Sequence, residues 1–346
     1  MVSKSNNEEN NAYEAWCEFK ELTNKLCGQS LSSIFGGLPQ EFHKYRTVVP
    51  KPIDWVNPLF EGKVIQGCVK ADICSAYGNE ASKPLPDLHE NCRKIVNGKV
   101  EPSQEYPFAF YLESNEMAVW GEGSSADLKN TRYMRETAYE AINERTLLCK
   151  AASITLRPVF EYLYAHRKEN EMLKFVMNAT IGMFHRKKFT GVQDNLWPLA
   201  AVIKFRCNKR IISLCETLVS LGQIPLLINT DSITWKGNDM SLVVFDKALG
   251  NFRLEFEDCK LLYKGPKKYQ VSGIPYGETE PVVMTRWAGP HNSTYTHNLA
   301  FGALLDKDIL QRITAEEQNN VFRWNKERHR FITLAGEVFT LKEVIE

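Results

Sequence analysis

Residues 224–236 read Ile-Pro-Leu-Leu-Ile-Asn-Thr-Asp-Ser-Ile-Thr-Trp-Lys, two apolar runs on either side of Asn229-Thr230-Asp231. β-branched and aromatic residues favour strands, whereas Asn and Asp favour tight turns. The stretch therefore predicts a β-hairpin with a carboxylate, Asp231, at its tip. Taken alone, such a carboxylate is ordinary turn chemistry.

A second carboxylate ends another apolar stretch. Residues 61–77 are interpreted as a buried strand pair that ends in Asp72-Ile73-Cys74-Ser75-Ala76-Tyr77. By itself Asp72 is read as a residue that caps a turn. The two carboxylates lie 231 − 72 = 159 residues apart in the chain. They can meet only if the fold places this strand beside the hairpin.

A third segment, residues 174–182, predicts a helix that presents Lys174, Asn178, Ile181 and Gly182 on one face, since positions three and four apart are neighbours. An ammonium, an amide and a glycine gap suit a nucleotide, although a solvated helix with a tolerated glycine is an equal alternative. Residues 167–188 carry six basic and two acidic side chains, a local excess of +4 that suits phosphate contact.

The surrounding pattern predicts helices over residues 13–26, 132–151, 158–166, 170–186, 197–221 and 306–320, a disordered tail over residues 1–11, and strands over most of residues 249–273. Strands and helices alternate without a regular strand–helix–strand rhythm. The fold class predicted from this order is α+β.

Composition excludes several classes of protein. The 346 residues are 43% hydrophobic and 25% charged, as in ordinary globular proteins, and their net charge is +1. The nine cysteines form no Cys-x-x-Cys pair, so neither a zinc cage nor a disulfide framework is indicated. Without a signal peptide or a long apolar run, we expect no membrane partner and a cytoplasmic protein, in the host-cell cytoplasm if the source is viral.

The order of these segments resembles family B DNA polymerases. Asp72 to Tyr77 is similar to motif A, D-x-x-S-L-Y-P, and Lys174 to Gly182 to motif B, K-x-x-x-N-S-x-Y-G. Leu227 to Ser232 is similar to motif C, Y-x-D-T-D-S, and Lys267-Lys268-Tyr269 to the K-x-Y motif. Each match is weak alone, but four in the right order over residues 72–269 are specific.

The resemblance implies a right-hand polymerase with an antiparallel-sheet palm, short helical fingers and a small thumb. It implies an N-terminal tail and helical segment over residues 1–60, palm over 61–150 and 196–280, fingers over 151–195 and thumb over 281–346. The function implied is DNA replication by template-directed transfer of dNMP from dNTPs to a primer 3′-hydroxyl.

The resemblance also assigns roles to individual residues. Two Mg²⁺ or Mn²⁺ ions are implied at a metal site of Asp72, Ile73 and Asp231, with Asp72 and Asp231 as the catalytic residues. Tyr77 would exclude a 2′-hydroxyl. Nucleotide-binding residues would be Ser75, Tyr77, Arg167, Lys174, Asn178 and Ile181, and primer-binding residues Lys267, Lys268 and Tyr269.

The sequence departs from the family at three motif positions. Asn229 stands where motif C has its first Asp, Ile181 where motif B has Tyr, and Gly78 where motif A has Pro, which we expect to loosen the turn. Asn229 and Ile181 favour an alternative, a catalytically decayed polymerase that binds nucleic acid or a replication partner. An unrelated small-molecule enzyme is the third possibility, without a supporting motif.

The spacing carries two further expectations. Only 71 residues precede Asp72, too few for the 3′–5′ exonuclease domain usual in this family, so we expect no proofreading unless a separate exonuclease chain supplies it. The short segments between motifs are typical of the protein-primed phage and plasmid branch, where residues 78–150 would contact a priming protein; a surface elaboration is an equal alternative.

Overall fold

The computed structural model of the protein describes residues 2–42, 49, 52–98, 100–112, 118–121, 145–184, 195–243, 247–263, 268–287, 322–325, 330–333 and 338–340. The chain divides into two compact units. The first unit comprises Met1–Lys51, Cys74–Lys209 and Ala248–Gly250, and the second Pro52–Ile73, Arg210–Lys247 and Asn251–Glu346.

The helices and strands follow one another in an α+β order. The helices are α1 (Val2–Cys27), α2 (Leu31–Phe35), α3 (Ala76–Ala81), α4 (Arg157–His166), α5 (Glu171–Met183) and α6 (Trp197–Ser220). The strands are β1 (Asp54–Val56), β2 (Ile65–Ile73), β3 (Arg93–Asn97), β4 (Phe108–Leu112), β5 (Ala118–Gly121), β6 (Arg145–Cys149), β7 (Ile224–Asn229), β8 (Ser232–Lys236), β9 (Phe252–Tyr263), β10 (Lys268–Pro275), β11 (Val282–Trp287), β12 (Phe322–Asn325), β13 (Arg330–Thr333) and β14 (Val338–Thr340).

The second unit is built on a seven-stranded sheet in the order β1-β7-β8-β2-β9-β10-β11, in which every neighbouring pair is antiparallel. The predicted hairpin over residues 224–236 is confirmed as β7 and β8. Residues 225–228 and 232–235 are buried in unbroken runs. Because successive side chains of a strand point to opposite faces, these runs are buried on both faces of the hairpin. They contribute to a core that includes Leu227, Leu261, Tyr263 and Val271. The predicted α+β class with an antiparallel sheet is therefore confirmed.

The first unit holds most of the helices and a four-stranded antiparallel sheet in the order β3-β6-β4-β5. Its core is aromatic: the ring of Phe19 lies 5.8 Å from that of Phe160 and 5.9 Å from that of Phe184, between ring centroids. Asn170 caps α5 by accepting hydrogen bonds from the backbone N–H groups of Met172 and Leu173. The helices predicted over residues 158–166 and 170–186 are confirmed, the second ending at Met183.

Several sequence-based assignments were wrong. Residues 145–149 form β6 rather than the end of a helix, because their apolar side chains pair within the four-stranded sheet; residues 122–144 lie outside the described residues. Residues 61–77 form one long strand, β2, followed by the short helix α3, rather than a strand pair. Residues 2–11 continue helix α1 instead of forming a disordered tail.

Two other assignments have simpler outcomes. The amphipathic helix predicted over residues 13–26 is confirmed within α1, and the helix predicted over residues 197–221 is confirmed as α6. The helix predicted over residues 306–320 lies outside the described residues. Within the described ranges, no helix combines the length and the apolar composition that crossing a membrane requires.

Candidate active site

Asp72 lies near the end of β2, in the middle of the seven-stranded sheet. The register pairs it with Ser232 of β8 on one side and with Arg253 of β9 on the other. Directly opposed residues of neighbouring strands project on the same face of a sheet. Asp72 therefore shares its face with Ser232 and Arg253.

Asp231 occupies the tip of the β7–β8 hairpin, beside the end of β2. Its backbone N–H donates to the carbonyl of Asn229 at 2.8 Å, which closes a tight turn on Thr230, and Thr230 has φ 61°. The backbone N–H of Thr230 donates to the carbonyl of Ile53 at 2.8 Å, and that of Ile73 to the carbonyl of Asp231 at 2.9 Å. The first of these bonds holds the turn against the residue before β1 and the second holds it against β2, so the structure brings Asp72 and Asp231 together.

Electrostatics distinguish Asp231 from an ordinary turn residue. Burial, and next the negative charge of Asp72, raise the pKa of Asp231 to about 6, although its own backbone, Lys70 and Arg253 oppose the rise. Two carboxylates that share a partly desolvated site repel each other, and one of them tends to take up a proton. A bound cation would relieve this repulsion.

The second feature of the site is a set of ion pairs on the same face. The guanidinium of Arg253 donates to both carboxylate oxygens of Asp72, from Nε to Oδ1 and from Nη2 to Oδ2, each at 3.0 Å. Its Nη2 also lies 3.6 Å from Oε1 of Glu255, whose other oxygen pairs with the buried ammonium of Lys70. Sequence reasoning missed these pairs. The available signal was spacing: Lys70 and Asp72 are two residues apart, as are Arg253 and Glu255, so each pair shares a face.

The donor set fits a hard divalent cation. Carboxylate and carbonyl oxygens are the ligands that Mg²⁺ prefers, and it needs only one or two protein carboxylates when substrate phosphates complete its shell. Asp72 and Asp231 supply the carboxylates, and Ile73 can contribute only its backbone carbonyl, since its side chain has no donor. Among the described residues no three His, Cys, Asp or Glu side chains form a metal-binding group, so an all-protein cage is absent there.

The described K-x-Y residues, Lys268 and Tyr269, lie on β10, in the same sheet. Tyr269 is buried in the core, and its hydroxyl accepts a hydrogen bond from the Asn229 amide at 3.3 Å. Asn229, the departure in motif C, thus connects the hairpin to β10. Lys268 is half-buried, and Lys267 lies outside the described residues.

The motif A residues from Cys74 onward belong to the first unit, whereas Asp72 and Ile73 belong to the second. Ser75, with φ 49°, precedes α3, and its hydroxyl donates to the sulfur of Met177 at 3.2 Å. Tyr77 is partly buried and packs against the core of this unit. A Cβ on Gly78 would approach Ser75 Oγ to 2.7 Å. Close packing inside α3, rather than a loosened turn, therefore accounts for this glycine.

The predicted nucleotide face of α5 is only partly present. Lys174 and Asn178 are exposed, and a Cβ on Gly182 would meet open space. Ile181, in contrast, is 1% exposed and belongs to the core, because the helix turns this side chain inward. The guanidinium of Arg167 lies 3.5 Å from the centroid of the Tyr164 ring. Three other predicted basic residues of this region lie outside the described residues: Arg186, Lys187 and Lys188.

Comparison with known proteins places the fold. No protein-family model matches the chain, and no curated protein matches it in sequence. Phi29 DNA polymerase complexed with primer-template DNA, in a post-translocation binary complex, is 16% identical with a TM-score of 0.59, covering 83% of this chain and 61% of that chain. Phi29 DNA polymerase complexed with single-stranded DNA is 14% identical with a TM-score of 0.62, covering 95% of this chain and 67% of that chain.

This likeness concerns the fold. The chain spans 61% of the length of the phi29 polymerase in the binary complex. At 14–16% identity the likeness supports a fold like that of this DNA polymerase.

Proposed function

We propose that the protein is a template-directed DNA polymerase that transfers dNMP from dNTPs to a primer 3′-hydroxyl with Mg²⁺ or Mn²⁺. The observation that carries the proposal is the pair Asp72 and Asp231, which β2 and the β7–β8 hairpin bring together on one sheet. The polymerase fold supports the same reading.

The residues of the site suit phosphoryl transfer, which asks a protein mainly for positioning and for neutralisation of charge. Asp72, Asp231 and the carbonyl of Ile73 would hold two divalent ions. When bound, these ions supply positive charge to the attacking and leaving oxygens. The turn bonds at Thr230 and Ile73 hold Asp231 in place, so little reorganisation is needed when substrate binds.

The remaining roles follow from the motif assignments. Lys174 and Asn178, both exposed on α5, would bind the incoming triphosphate and base together with Ser75, Arg167 and Ile181. Because Ile181 is buried, its contribution would be to pack the helix behind the exposed residues. The K-x-Y residues 267–269 would hold the primer strand, and a priming protein or separate exonuclease chain would be an additional partner.

Primer extension tests the proposal. With Mg²⁺, dNTPs and a primed template, Asp72→Asn and Asp231→Asn should each reduce incorporation about a thousandfold, since neutralisation by metal is worth several kcal/mol. Asp258→Asn, which removes an exposed carboxylate from β9 of the same sheet, is the matched control and should retain activity. Full activity in either site variant would contradict the assignment.

The second prediction concerns the choice of sugar. Tyr77 would lie under the deoxyribose and exclude a 2′-hydroxyl, so Tyr77→Val should raise ribonucleotide incorporation relative to deoxynucleotide incorporation at least about tenfold, about 1.4 kcal/mol. The ratio is measured by competing labelled rNTPs and dNTPs on one template. Tyr77→Phe keeps the ring and should leave the ratio near that of the wild type. Equal ratios in all three proteins would remove the gate from the proposal.

An alternative is a decayed polymerase that binds nucleic acid or a replication partner without catalysis. The contact of Arg253 with both oxygens of Asp72 favours it, as does Asn229 in motif C. Template binding without incorporation under either metal would support this alternative against DNA synthesis.

A further inference from the structure

The ion pairs around Asp72 form a continuous chain of alternating charge. Lys70 pairs with Glu255, Glu255 lies beside Arg253, and Arg253 pairs with Asp72. All four residues lie on β2 and β9, where the register pairs Asp72 directly with Arg253 and shifts between Lys70 and Ala71. The acidic face that holds Asp72 therefore carries its own cations.

The contact between Arg253 and Asp72 belongs to a strong class of hydrogen-bonded ion pairs. It is bidentate and charge-assisted, with both hydrogen bonds at 3.0 Å. Such pairs are about twice as strong as neutral hydrogen bonds. The guanidinium thus engages the two oxygens that a divalent ion would need to approach.

The ion pair between Asp72 and Arg253 is nevertheless open to solvent and able to separate. The side chains of Asp72 and Arg253 are 21% and 31% exposed, so water and ions reach them, in contrast to Lys70 at 4%. Glu255 Oε1 lies only 3.6 Å from Arg253 Nη2, the same nitrogen that donates to Asp72 Oδ2. A guanidinium that leaves Asp72 therefore has a second carboxylate within reach, which lowers the cost of its release.

We propose that Arg253 is a resident cation that competes with the divalent metal for Asp72, and thereby sets how much metal the protein needs. The inference deepens the proposed function and rests on it, since it takes Asp72 as a metal ligand. Binding of metal turns the guanidinium from Asp72 toward Glu255. Without metal, Arg253 holds the carboxylate and limits its repulsion of Asp231.

Mn²⁺ binding to the full chain tests this competition. Free Mn²⁺ is counted by electron paramagnetic resonance during titration of the wild type, Arg253→Gln, Arg253→Lys and Lys236→Gln. Arg253→Gln should bind Mn²⁺ about tenfold more tightly, because it removes a charge-assisted pair. Arg253→Lys keeps the positive charge but loses the planar guanidinium that contacts both carboxylate oxygens. Its Mn²⁺ affinity should therefore lie between those of the wild type and Arg253→Gln. Lys236→Gln removes an exposed cation from β8. It should change Mn²⁺ affinity by no more than about twofold to threefold.

A double-variant comparison separates competition from general charge. In an Asp72→Asn background, Arg253→Gln should add no more affinity than Lys236→Gln does, because the competing contact no longer exists. Circular dichroism melting confirms that each variant is folded, and Arg253→Lys is the conservative variant if Arg253→Gln fails to fold. Equal or weaker Mn²⁺ binding in both Arg253 variants would overturn the inference.

The outcome is distinct from that of the proposed function. If the wild type extends primers but the Arg253 variants bind Mn²⁺ no more tightly, only the competition is overturned. If the wild type extends no primer but the Arg253 variants gain Mn²⁺ affinity as expected, the competition stands and the polymerase activity fails. Absence of Mn²⁺ binding in every folded variant would overturn both.

Discussion

Asp72 and Asp231 are neighbours in space, but the sheet surrounds their two carboxylates with different groups. Asp72 lies within β2 between two paired strands, and Arg253 contacts both of its oxygens. Asp231 lies at a hairpin tip fixed by backbone hydrogen bonds, and its pKa is raised to about 6 by burial and by Asp72. Asp72 is paired with the guanidinium of Arg253, whereas Asp231 lies close enough to be repelled by the negative charge of Asp72.

Under the proposed function, this asymmetry would leave Asp231 to attract a cation while Arg253 neutralises Asp72 before any cation binds. If neither acid were paired, the repulsion would destabilise the hairpin against β2. If both were paired with arginine, no carboxylate would remain to attract a metal. Asp231 is the position where negative charge is held at a cost in stability, and such costs are typical of functional sites.

The largest expected effect in stability is a difference in sign between two matched substitutions. In EDTA at pH 7.5, Asp231→Asn should stabilise the protein by on the order of 2 kcal/mol, because it removes a charge that the fold disfavours. Asp72→Asn should destabilise it by about 1 kcal/mol, because Arg253 loses its pair. Chemical denaturation followed by circular dichroism measures both values.

The pH dependence follows from the same shift. Between the unfolded pKa of Asp231, near 4, and its folded pKa of about 6, the native state binds more protons than the unfolded state, so stability falls as pH rises through this window. The advantage of Asp231→Asn should therefore grow between about pH 4 and about pH 6, be complete above this window and vanish below it. Added Mg²⁺ should stabilise the wild type but not the variant. If Asp231→Asn and Asp72→Asn changed the free energy of unfolding in the same direction at pH 7.5, the contrast between the two carboxylates would be contradicted.

The sequence predicted elements that depend on local signals. The hairpin over residues 224–236 was predicted from its turn residues, and the helix predicted from about residue 170 agrees with α5, which Asn170 caps. Strand β6 was misassigned as the end of a helix because its partners, β3 and β4, are distant in the chain and its apolar run fits either structure.

The two acidic residues of the candidate site were predicted from the sequence, whereas the basic residue that pairs with Asp72 was not. The meeting of Asp72 and Asp231 was expected from the motif order, whereas the pairing of Arg253 with Asp72 was not. A pairing register depends on the packing of whole strands, and a slip of one residue would turn Arg253 to the other face. β2 and β9 also contain register shifts between Ile65 and Ala71, which no local pattern reveals.

The smallest effect concerns the backbone that holds Asp231. Thr230 adopts φ 61°, where a β-branched side chain is strained by about 1–2 kcal/mol and glycine is not. Thr230→Gly should therefore stabilise the protein by about 0.5 kcal/mol, after the entropy that glycine loses on folding. Thr230→Ala keeps Cβ and should bring no gain, which makes it the control in the same denaturation experiment. Because Thr230→Gly also loosens the turn, Mn²⁺ affinity should fall slightly. A glycine variant less stable than the alanine variant would mean that the Thr230 side chain supports the turn, and that the cost of holding Asp231 lies in its charge alone.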